Sequence, residues 1–221
     1  MKCAVFVYGK KLLKLCSHSC YRRFQRRNTS LSIVFYGSDS FSTESLKALH
    51  GNYTETDVFE PKVVRSLTVV TGSDHNDVSK FANENKIPLK IWPHNFEPNE
   101  YDLGVVASFG KLIPLQCIQN CRHGMINVHA SLLPRWRGAS PIGHTILNGD
   151  KESGVTLMRI RPHKFDVGEC IMQTPVLLQP RMTAKQLHKI LALLGAKLLL
   201  KCLNNLEFYL NNAKEQSSEG I

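Results

Sequence analysis

Three side chains in this 221-residue chain could together carry out chemistry at a carbonyl group. Asn127 and His129 lie two residues apart, so an extended backbone would place both on one face, and Asp166 arrives from a later segment. The amide can donate a hydrogen bond to an oxyanion, the imidazole can carry a proton, and the carboxylate can hold the imidazole in one tautomer or accept a proton through water. This set suits acyl transfer from an amide-like donor to an amine, where the amine itself is the nucleophile.

The spacing of Asn127 and His129 does not by itself establish a catalytic pair. Asn-X-His is a common sequence, and such residues also occur as surface groups or as hydrogen-bonded structural groups where a strand ends. The residue types therefore leave both interpretations open, and the surrounding elements must be considered.

The elements that position these residues alternate between strands and helices. Short apolar runs bounded by turn residues predict strands at 31–37, 67–70, 87–92, 103–109, 124–129, 154–160 and 170–178. Helical spacing predicts helices at 40–49, 78–85, 114–119, 141–147 and 183–208. This order predicts an α/β fold with an open, mostly parallel sheet, and antiparallel pairing between the last two strands. Ligands bind outside the carboxyl ends of strands in such sheets, and Asn127 and His129 lie at one of those ends.

The net charge of +10 is concentrated at the start of the chain. Residues 1–30 contain eight Lys and Arg residues and no acid, which leaves 20 basic and 18 acidic residues in the remainder. The body is thus nearly balanced and does not suggest a large polyanion-binding surface. The basic, acid-free segment 1–30 is predicted to be a mitochondrial transit segment, which would direct the chain to the mitochondrial matrix. A disordered basic tail, or a secretory signal using the apolar residues 4–8, are the alternatives.

The cysteine pattern does not indicate a disulfide framework, because seven cysteines at irregular spacing cannot all pair. Cys117 and Cys121 would share one face of a helix, but no second pair of ligands accompanies them, so we expect buried thiols and no metal. The chain has no run of about 18 apolar residues, and no membrane span is expected.

The stretch 127–142 reads Asn-Val-His-Ala-Ser-Leu-Leu-Pro-Arg-Trp-Arg-Gly-Ala-Ser-Pro-Ile. It resembles the signature of methionyl-tRNA formyltransferases, within the wider family of formyltransferases and hydrolases that use 10-formyltetrahydrofolate. Glycinamide ribonucleotide formyltransferases share Asn-X-His and Ser-Leu-Leu-Pro, whereas the Arg-Trp-Arg-Gly at 135–138 favours the tRNA enzymes. The resemblance extends over about residues 31–210 and includes 33–37, 105–110 and 149–158.

The resemblance implies a Rossmann-like sheet of the formyltransferase type, with a catalytic domain at 31–210. It implies that Asn127, His129 and Asp166 are the catalytic residues. It also implies that a short segment contributes to the site of the co-substrate 10-formyltetrahydrofolate, namely Ser131, Leu132, Leu133 and Pro134. The implied reaction transfers the formyl group to the amino group of methionine on initiator Met-tRNA, for mitochondrial translation initiation.

The loop that carries the aspartate departs from the family pattern. The family usually has Asp-X-Gly-X-Asp-X-Gly, whereas residues 161–168 read Arg-Pro-His-Lys-Phe-Asp-Val-Gly, without the first acid and glycine and with one inserted residue. Asp166 is nevertheless the only acid between Glu152 and Glu169. The assignment of Asp166 therefore holds, while the contacts of this loop with the pterin stay open.

A second departure concerns the binding of tRNA. Many bacterial members carry a basic insertion after the second strand, and full-length members continue for about another hundred residues as an OB-like tRNA-binding barrel. Here residues 71–77 contain no Lys or Arg, and residues 211–221 are predicted to be a linker-like tail. The expectation is a monomeric short isoform or an incomplete gene model whose binding of initiator Met-tRNA is weakened by a missing C-terminal domain.

Two other functions are considered. The first is the same chemistry on a small acceptor, as in a glycinamide ribonucleotide or aminosugar formyltransferase, or a formyltetrahydrofolate hydrolase; the Arg-Trp-Arg sequence at 135–137 and the basic leader argue against it. The second is a folate-binding module without turnover, and the intact Asn127, His129 and Asp166 argue against that. Dinucleotide binding is disfavoured because no G-x-G-x-x-G follows the first strand.

Overall fold

The computed structural model describes residues 30–54 and 61–217. The predicted transit segment therefore lies outside the described residues, except for Ser30. Within the described part of the chain, seven strands form one sheet in the order β3-β2-β1-β4-β5-β6-β7. The strands are β1 (Leu31–Tyr36), β2 (Val64–Thr71), β3 (Leu89–Ile91), β4 (Leu103–Ala107), β5 (Met125–His129), β6 (Glu152–Arg159) and β7 (Cys170–Leu177). The helices are α1 (Ser40–Thr54), α2 (Asp77–Glu84), α3 (Leu115–Gln119), α4 (Pro141–Leu147), α5 (Ala184–Leu203) and α6 (Leu206–Asn211).

The strand direction reverses twice along the sheet, at β6 and again at β7. Strands β1 to β5 pair with one another in parallel, β6 runs antiparallel to β5, and β7 runs antiparallel to β6. The predicted α/β fold with a mostly parallel sheet is confirmed, and so is the antiparallel pairing of the last two strands. Because β4 and β5 are parallel neighbours, their carboxyl ends meet at the same edge of the sheet.

The centre of the sheet is apolar on both faces. Every residue of β1 and β4 is buried, as expected for strands that are covered on both sides. Side chains of one face, among them Ile33 and Val105, form a large core with α1 and α5. Those of the other face, among them Tyr36 and Val106, form a smaller core with Phe109 and its neighbours. The sheet therefore offers a rigid support to the loops at its carboxyl edge.

The first turn of the sheet brings α1 close to β1. A Cβ atom on Gly37 would lie 2.7 Å from Cβ of Ser42, so only glycine allows this approach. Asp39 begins the helix, because its Oδ1 accepts a hydrogen bond from the backbone N–H of Ser42 at 3.0 Å. The other oxygen of the same carboxylate accepts from the Ser108 hydroxyl at 2.8 Å, which ties the turn after β1 to the turn after β4.

The prediction of one helix over 183–208 is wrong at its end. Helix α5 begins at the predicted cap, where Thr183 and Gln186 form a capping box, but it ends at Leu203. A separate short helix, α6, begins at Leu206. The break falls at two asparagines, whose short polar side chains disfavour a helix interior. The change of direction also buries Leu206 and Leu210, the apolar side chains of α6.

The segment after α6 also differs from the linker-like tail predicted for 211–221. Cys170 and Lys214 exchange two backbone hydrogen bonds, of 2.7 and 2.9 Å, so this segment pairs with the start of β7. This pairing could not be predicted from the residue types, because backbone groups make it and most side chains around Lys214 are polar. The last residues, 218–221, lie outside the described part.

The cysteines of the described residues are free thiols. Cys117 and Cys121 are both buried, which confirms the predicted buried thiols, although α3 ends before Cys121 and the two do not share a helix. Burial raises the pKa of Cys121 and that of Cys202 to about 12, so both stay protonated at neutral pH. None of the helices in the described ranges is long and apolar enough to cross a membrane.

Candidate active site

Strand β5 delivers the first two candidate residues to the carboxyl edge of the sheet. Val128 points to the face covered by α5, where a Cβ atom added to Gly195 would lie 2.8 Å from its Cγ1. Asn127 and His129 alternate with Val128 and therefore point to the opposite face. His129 is the last residue of β5, and its side chain is only 6% exposed. The predicted common face of Asn127 and His129 is thus present.

The loop between β6 and β7 brings Asp166 to both of them. The Asn127 amide donates through Nδ2 to Asp166 Oδ1 at 2.9 Å, and His129 Nδ1 lies 3.6 Å from Asp166 Oδ2. The backbone N–H of Gly138 donates to the same Oδ2 at 3.0 Å. The side chain of Asp166 is 10% exposed. The structure therefore brings the three predicted residues together, with Asn127 hydrogen-bonded to Asp166 and His129 within ion-pair distance of the same carboxylate.

The backbone of this loop holds an unusual conformation. Asp166 has a φ of 53°, in the left-handed region that Asp adopts more readily than most residues. A Cβ atom at Gly168 would lie 1.8 Å from the carbonyl oxygen of Arg159, so glycine is required where the loop crosses the end of β6. These two positions aim the Asp166 carboxylate back toward β5.

His129 lies between two hydrogen-bond acceptors. Its Nδ1 faces the Asp166 carboxylate, and its Nε2 is 3.0 Å from the backbone carbonyl oxygen of Trp136. A neutral imidazole carries one N–H, so it can donate to only one of these acceptors at a time. These two contacts hold the ring in one orientation.

Asn127 keeps one donor for another partner. Its amide carries two N–H groups, and only one of them is needed for the hydrogen bond to Asp166. The side chain also lines the neighbouring cavity. The second N–H can therefore meet an oxygen atom placed in that cavity, as stabilisation of an oxyanion requires.

The central cavity lies beside these three residues and has a volume of about 590 Å³. Its apolar wall includes Phe41, Val106, Phe109, Ile113, Ile142, Met158 and Ile160. Three exposed cationic side chains border it, namely Lys111, Arg161 and Lys164, although Arg161 also pairs with Glu169. The cavity thus combines an apolar interior, a hydrogen-bonded polar group and a basic margin.

The segment Ser131, Leu132, Leu133 and Pro134 is not part of the lining of this cavity. Ser131 donates its hydroxyl to the carbonyl of Arg135 at 2.6 Å, and the backbone N–H of Leu133 donates to the Thr156 hydroxyl at 3.0 Å. Thr156 in turn donates to the carbonyl of Ser131 at 2.7 Å. The segment therefore forms a tight turn behind His129, and the structure does not bring it to the cavity that holds the three catalytic candidates.

The residues after this turn form a clamp around Asp150. Arg135 donates two hydrogen bonds to its carboxylate, at 2.7 and 2.9 Å, and the Trp136 indole donates a third at 2.7 Å. The guanidinium of Arg135 also lies 4.4 Å from the centre of the Trp136 ring. The hydrogen bonds from Arg135 have the largest effect on the pKa of Asp150 and, with a smaller one from Trp136, hold it well below its usual range. The clamp thereby fixes Trp136, whose backbone carbonyl faces His129.

Replacing Asp150 with Asn is expected to lower the free energy of unfolding at pH 7 by about 1 kcal/mol. The pKa of Asp150 is lower in the folded than in the unfolded chain, so its contribution is complete above about pH 5 and is lost as the pH falls below about 4. Urea unfolding at pH 7 and at pH 3.5 measures this. The difference between wild type and variant should shrink at the lower pH, and Asp74→Asn, at an exposed position, is the control. An equal difference at both pH values would contradict the assigned cause.

Several partners in this site were not predicted from the sequence. The backbone N–H of Gly138 and the carbonyl of Trp136 are main-chain groups, for which a side-chain pattern gives no signal. Asp39 also borders the cavity. The only signal in the sequence for this was its position in the turn after the first strand, at the carboxyl edge of the predicted sheet. Gln216 also contacts the loop between β6 and β7, residues 160–169, which carries Asp166 and is called the aspartate loop below. Among the residues that the structure describes, no three His, Cys, Asp or Glu side chains are grouped to hold a metal ion.

Comparison with known proteins gives the family. The sequence model described as "Formyl transferase" matches residues 1–203. The mitochondrial methionyl-tRNA formyltransferase of Rattus norvegicus is 42% identical over 193 residues, which are 86% of this chain and 49% of that protein. The enzyme of the same name from Homo sapiens is 39% identical over 215 residues, which are 96% of this chain and 54% of that protein. The chain spans about half the length of these relatives.

The fold agrees with this match. The crystal structure of glycinamide ribonucleotide transformylase 1 from Symbiobacterium toebii superposes with a TM-score of 0.66 at 17% identity, covering 85% of this chain and 95% of that one. Its likeness confirms the predicted Rossmann-like sheet of the formyltransferase type. Together with the match over residues 1–203, it establishes that the chain belongs to the formyl transferase family.

Proposed function

We propose that this chain transfers the formyl group of 10-formyltetrahydrofolate to the amino group of methionine on initiator Met-tRNA. The observation that carries the proposal is the convergence of Asn127, His129 and Asp166 beside one cavity, in a member of the formyl transferase family. The choice of acceptor is supported by the relatives named above, which are methionyl-tRNA formyltransferases.

The central cavity suits a folate co-substrate. Its volume lies within the usual range for small-molecule sites, and its apolar wall offers Phe109, Ile113 and Ile160 to a planar heteroaromatic ring. When bound, 10-formyltetrahydrofolate supplies a formyl carbon that an amine can attack. We assign Ser131, Leu132, Leu133 and Pro134 an indirect contribution to its binding, because they hold the turn behind His129.

Asn127 is assigned to the stabilisation of the oxyanion. Attack of an amine moves negative charge onto the formyl oxygen, and Asn127, which lines the cavity, has a second N–H that could donate to that oxygen. The hydrogen bond to Asp166 keeps the amide in place before the reaction, so the donor does not have to reorganise. This preorganisation is what makes such donors effective.

His129 and Asp166 are assigned to proton management. The attacking nitrogen must lose a proton and the leaving nitrogen must gain one. We assign that proton to His129, whose Nδ1 lies 3.6 Å from the Asp166 carboxylate; its Nε2 has to leave the Trp136 carbonyl oxygen, 3.0 Å away, to reach a substrate atom. Asp166 supports the charged form of the ring during the transfer, or accepts the proton through a water molecule.

The margin of the cavity is compatible with a nucleic-acid acceptor. Lys111 and Lys164 are exposed at its border, where they can meet the phosphates near the 3′ end of a tRNA. Glycinamide ribonucleotide and a nucleotide-linked aminosugar also carry phosphate, so these charges suit all three acceptors, and the preference for tRNA comes from the relatives.

A panel of acceptors tests the proposal. Purified protein is mixed with 10-formyltetrahydrofolate labelled in the formyl group and with initiator Met-tRNA, glycinamide ribonucleotide, a nucleotide-linked aminosugar or water alone. We expect label in formylmethionine after the tRNA is deacylated. Label in a small amine would identify a small-molecule formyltransferase, release of formate a hydrolase, and binding of folate without transfer a folate-binding module; each would overturn the proposed acceptor.

We further propose that the protein acts in the mitochondrial matrix, in translation initiation. The relatives from Rattus norvegicus and Homo sapiens are named as mitochondrial, and residues 1–30 are basic and free of acids. A fusion of residues 1–30 to a fluorescent protein should enter mitochondria. Diffuse cytosolic fluorescence would contradict the location without affecting the proposed reaction.

A further inference from the structure

Gln216 contacts the main chain of the aspartate loop from a distant part of the sequence. Its Nε2 donates to the carbonyl oxygen of Asp166 at 2.9 Å and to that of Gly168 at 2.7 Å. Its Oε1 accepts a hydrogen bond from Nε of Arg137 at 2.8 Å. The Gln216 amide therefore donates hydrogen bonds to the aspartate loop through its nitrogen. Its oxygen accepts one from Arg137, in the segment that follows the turn at 131–134.

The backbone near Gln216 is anchored independently. Lys214, two residues earlier, exchanges hydrogen bonds of 2.7 and 2.9 Å with Cys170, two residues after Gly168. This pairing places Gln216 beside the loop, where its side chain is half-buried. Backbone pairing thus places Gln216, and its side chain alone makes the contact with the loop.

The two segments that Gln216 joins are those that hold the catalytic candidates. The aspartate loop carries the Asp166 carboxylate in a left-handed backbone conformation. Arg137 lies between Trp136, whose carbonyl faces His129 Nε2, and Gly138, whose N–H donates to Asp166 Oδ2. Gln216 consequently connects Arg137, in the segment that contacts His129, to the loop that carries the Asp166 carboxylate.

We infer that Gln216 is a positioning residue for Asp166, which holds the carboxylate of the aspartate loop against Asn127 and His129. The inference rests on the proposed formyl transfer and adds a residue outside the part of the chain, 1–203, that the family model matches. Gln216 does not border the central cavity, so it acts through Asp166 and does not touch the substrates. Its loss should affect the chemical step more than binding.

Gln216→Ala removes all three hydrogen bonds. We expect kcat to fall about 10- to 100-fold, because small displacements of a catalytic group cost this much, while the KM values and the Kd of a folate analogue change by less than about twofold. Gln216→Glu keeps an acceptor for Arg137 but faces two carbonyl oxygens with a carboxylate, so it should not restore kcat. The matched control is Glu215→Gln, at the exposed neighbouring position, which should behave as wild type. Wild-type kcat in Gln216→Ala would overturn the inference.

A double-mutant cycle separates positioning from general support of the fold. If Gln216 acts through Asp166, then Gln216→Ala should lower the residual kcat by less than about twofold when Asp166 is already Asn. A role in fold stability alone would lower kcat by the same factor in both backgrounds. Equal factors would therefore overturn the assignment of Gln216 as a positioning residue for Asp166.

Limited proteolysis tests the contact without using activity. Trypsin cleaves after Lys164, which is exposed in the aspartate loop. We expect Gln216→Ala to speed cleavage between Lys164 and Phe165 about 10-fold, with no change at other sites and with the Glu215→Gln control unchanged. Unchanged cleavage would show that Gln216 does not hold the loop. If the wild type forms no formylmethionine, but Gln216→Ala is still cleaved faster than the wild type, the proposed function is refuted and the loop contact stands.

Discussion

Asp166→Asn is expected to lower kcat by about 10²- to 10⁴-fold, with the Kd of a 10-formyltetrahydrofolate analogue changed by less than about threefold. Asparagine has nearly the same shape, so it can keep the hydrogen bond that Asp166 Oδ1 accepts from Asn127. Its Nδ2 would then face the N–H of Gly138 and Nδ1 of His129, where the native carboxylate oxygen accepts. The variant therefore loses the negative charge beside His129 and gains a misplaced donor.

Pre-steady-state and steady-state rates, with the folate analogue titrated by calorimetry, measure the effect of Asp166→Asn. Asp74→Asn makes the same chemical change at an exposed site and should leave kcat unaltered. If the Asp166 variant keeps kcat within about fivefold of wild type, the carboxylate has no part in proton transfer. If binding falls as much as kcat, Asp166 is chiefly a ligand contact, and the assignment to proton management is wrong.

The sheet could be predicted from the sequence because its central strands are apolar along their whole length. β1 and β4 are covered on both faces, so a continuous apolar run is enough to locate them. The start of β2 was not predicted, because its first residues do not form a continuous apolar run. Arg65 and Ser66 are exposed there, and Arg65 pairs with Asp102 from another segment, a contact that a local pattern cannot reveal.

The candidate site could be predicted only in part. The common face of Asn127 and His129 follows from the two-residue alternation of a strand. Their catalytic role, and that of Asp166, was implied only by the resemblance, and the loop of Asp166 has no regular pattern. The conformation that aims Asp166 at β5 depends on a left-handed backbone and on the close approach of Gly168 to Arg159. Neither feature is visible in residue types alone.

The contacts that hold the site together are largely main-chain groups. The carbonyl of Trp136 faces His129, the N–H of Gly138 binds Asp166, and Gln216 binds the carbonyls of the aspartate loop. Every residue has a backbone N–H or carbonyl, so composition cannot distinguish the ones that matter. The sequence therefore identifies the chemical groups of this site, and the structure identifies what fixes their geometry.

Asn127→Ala is expected to lower kcat by about 10²- to 10³-fold, the usual cost of removing one oxyanion donor. The Kd of a folate analogue should change by less than about threefold, because the donor acts on charge that develops only during the reaction. The same substitution removes one of the hydrogen bonds to Asp166, so a small part of the loss reflects a less constrained carboxylate. Single-turnover formylation and calorimetric titration measure the two quantities separately.

The control for Asn127→Ala is Asn83→Ala, which makes the same truncation at an exposed position of α2 and should leave both quantities unchanged. The double variant of Asn127→Ala with Asp166→Asn divides the loss between the two contributions. If Asn127 acts on the oxyanion and Asp166 on the proton, their effects on kcat should nearly multiply, apart from the factor due to their shared hydrogen bond. If the double variant is no slower than Asp166→Asn alone, Asn127 acts only by holding the carboxylate, and the formyl oxygen must be stabilised by another donor.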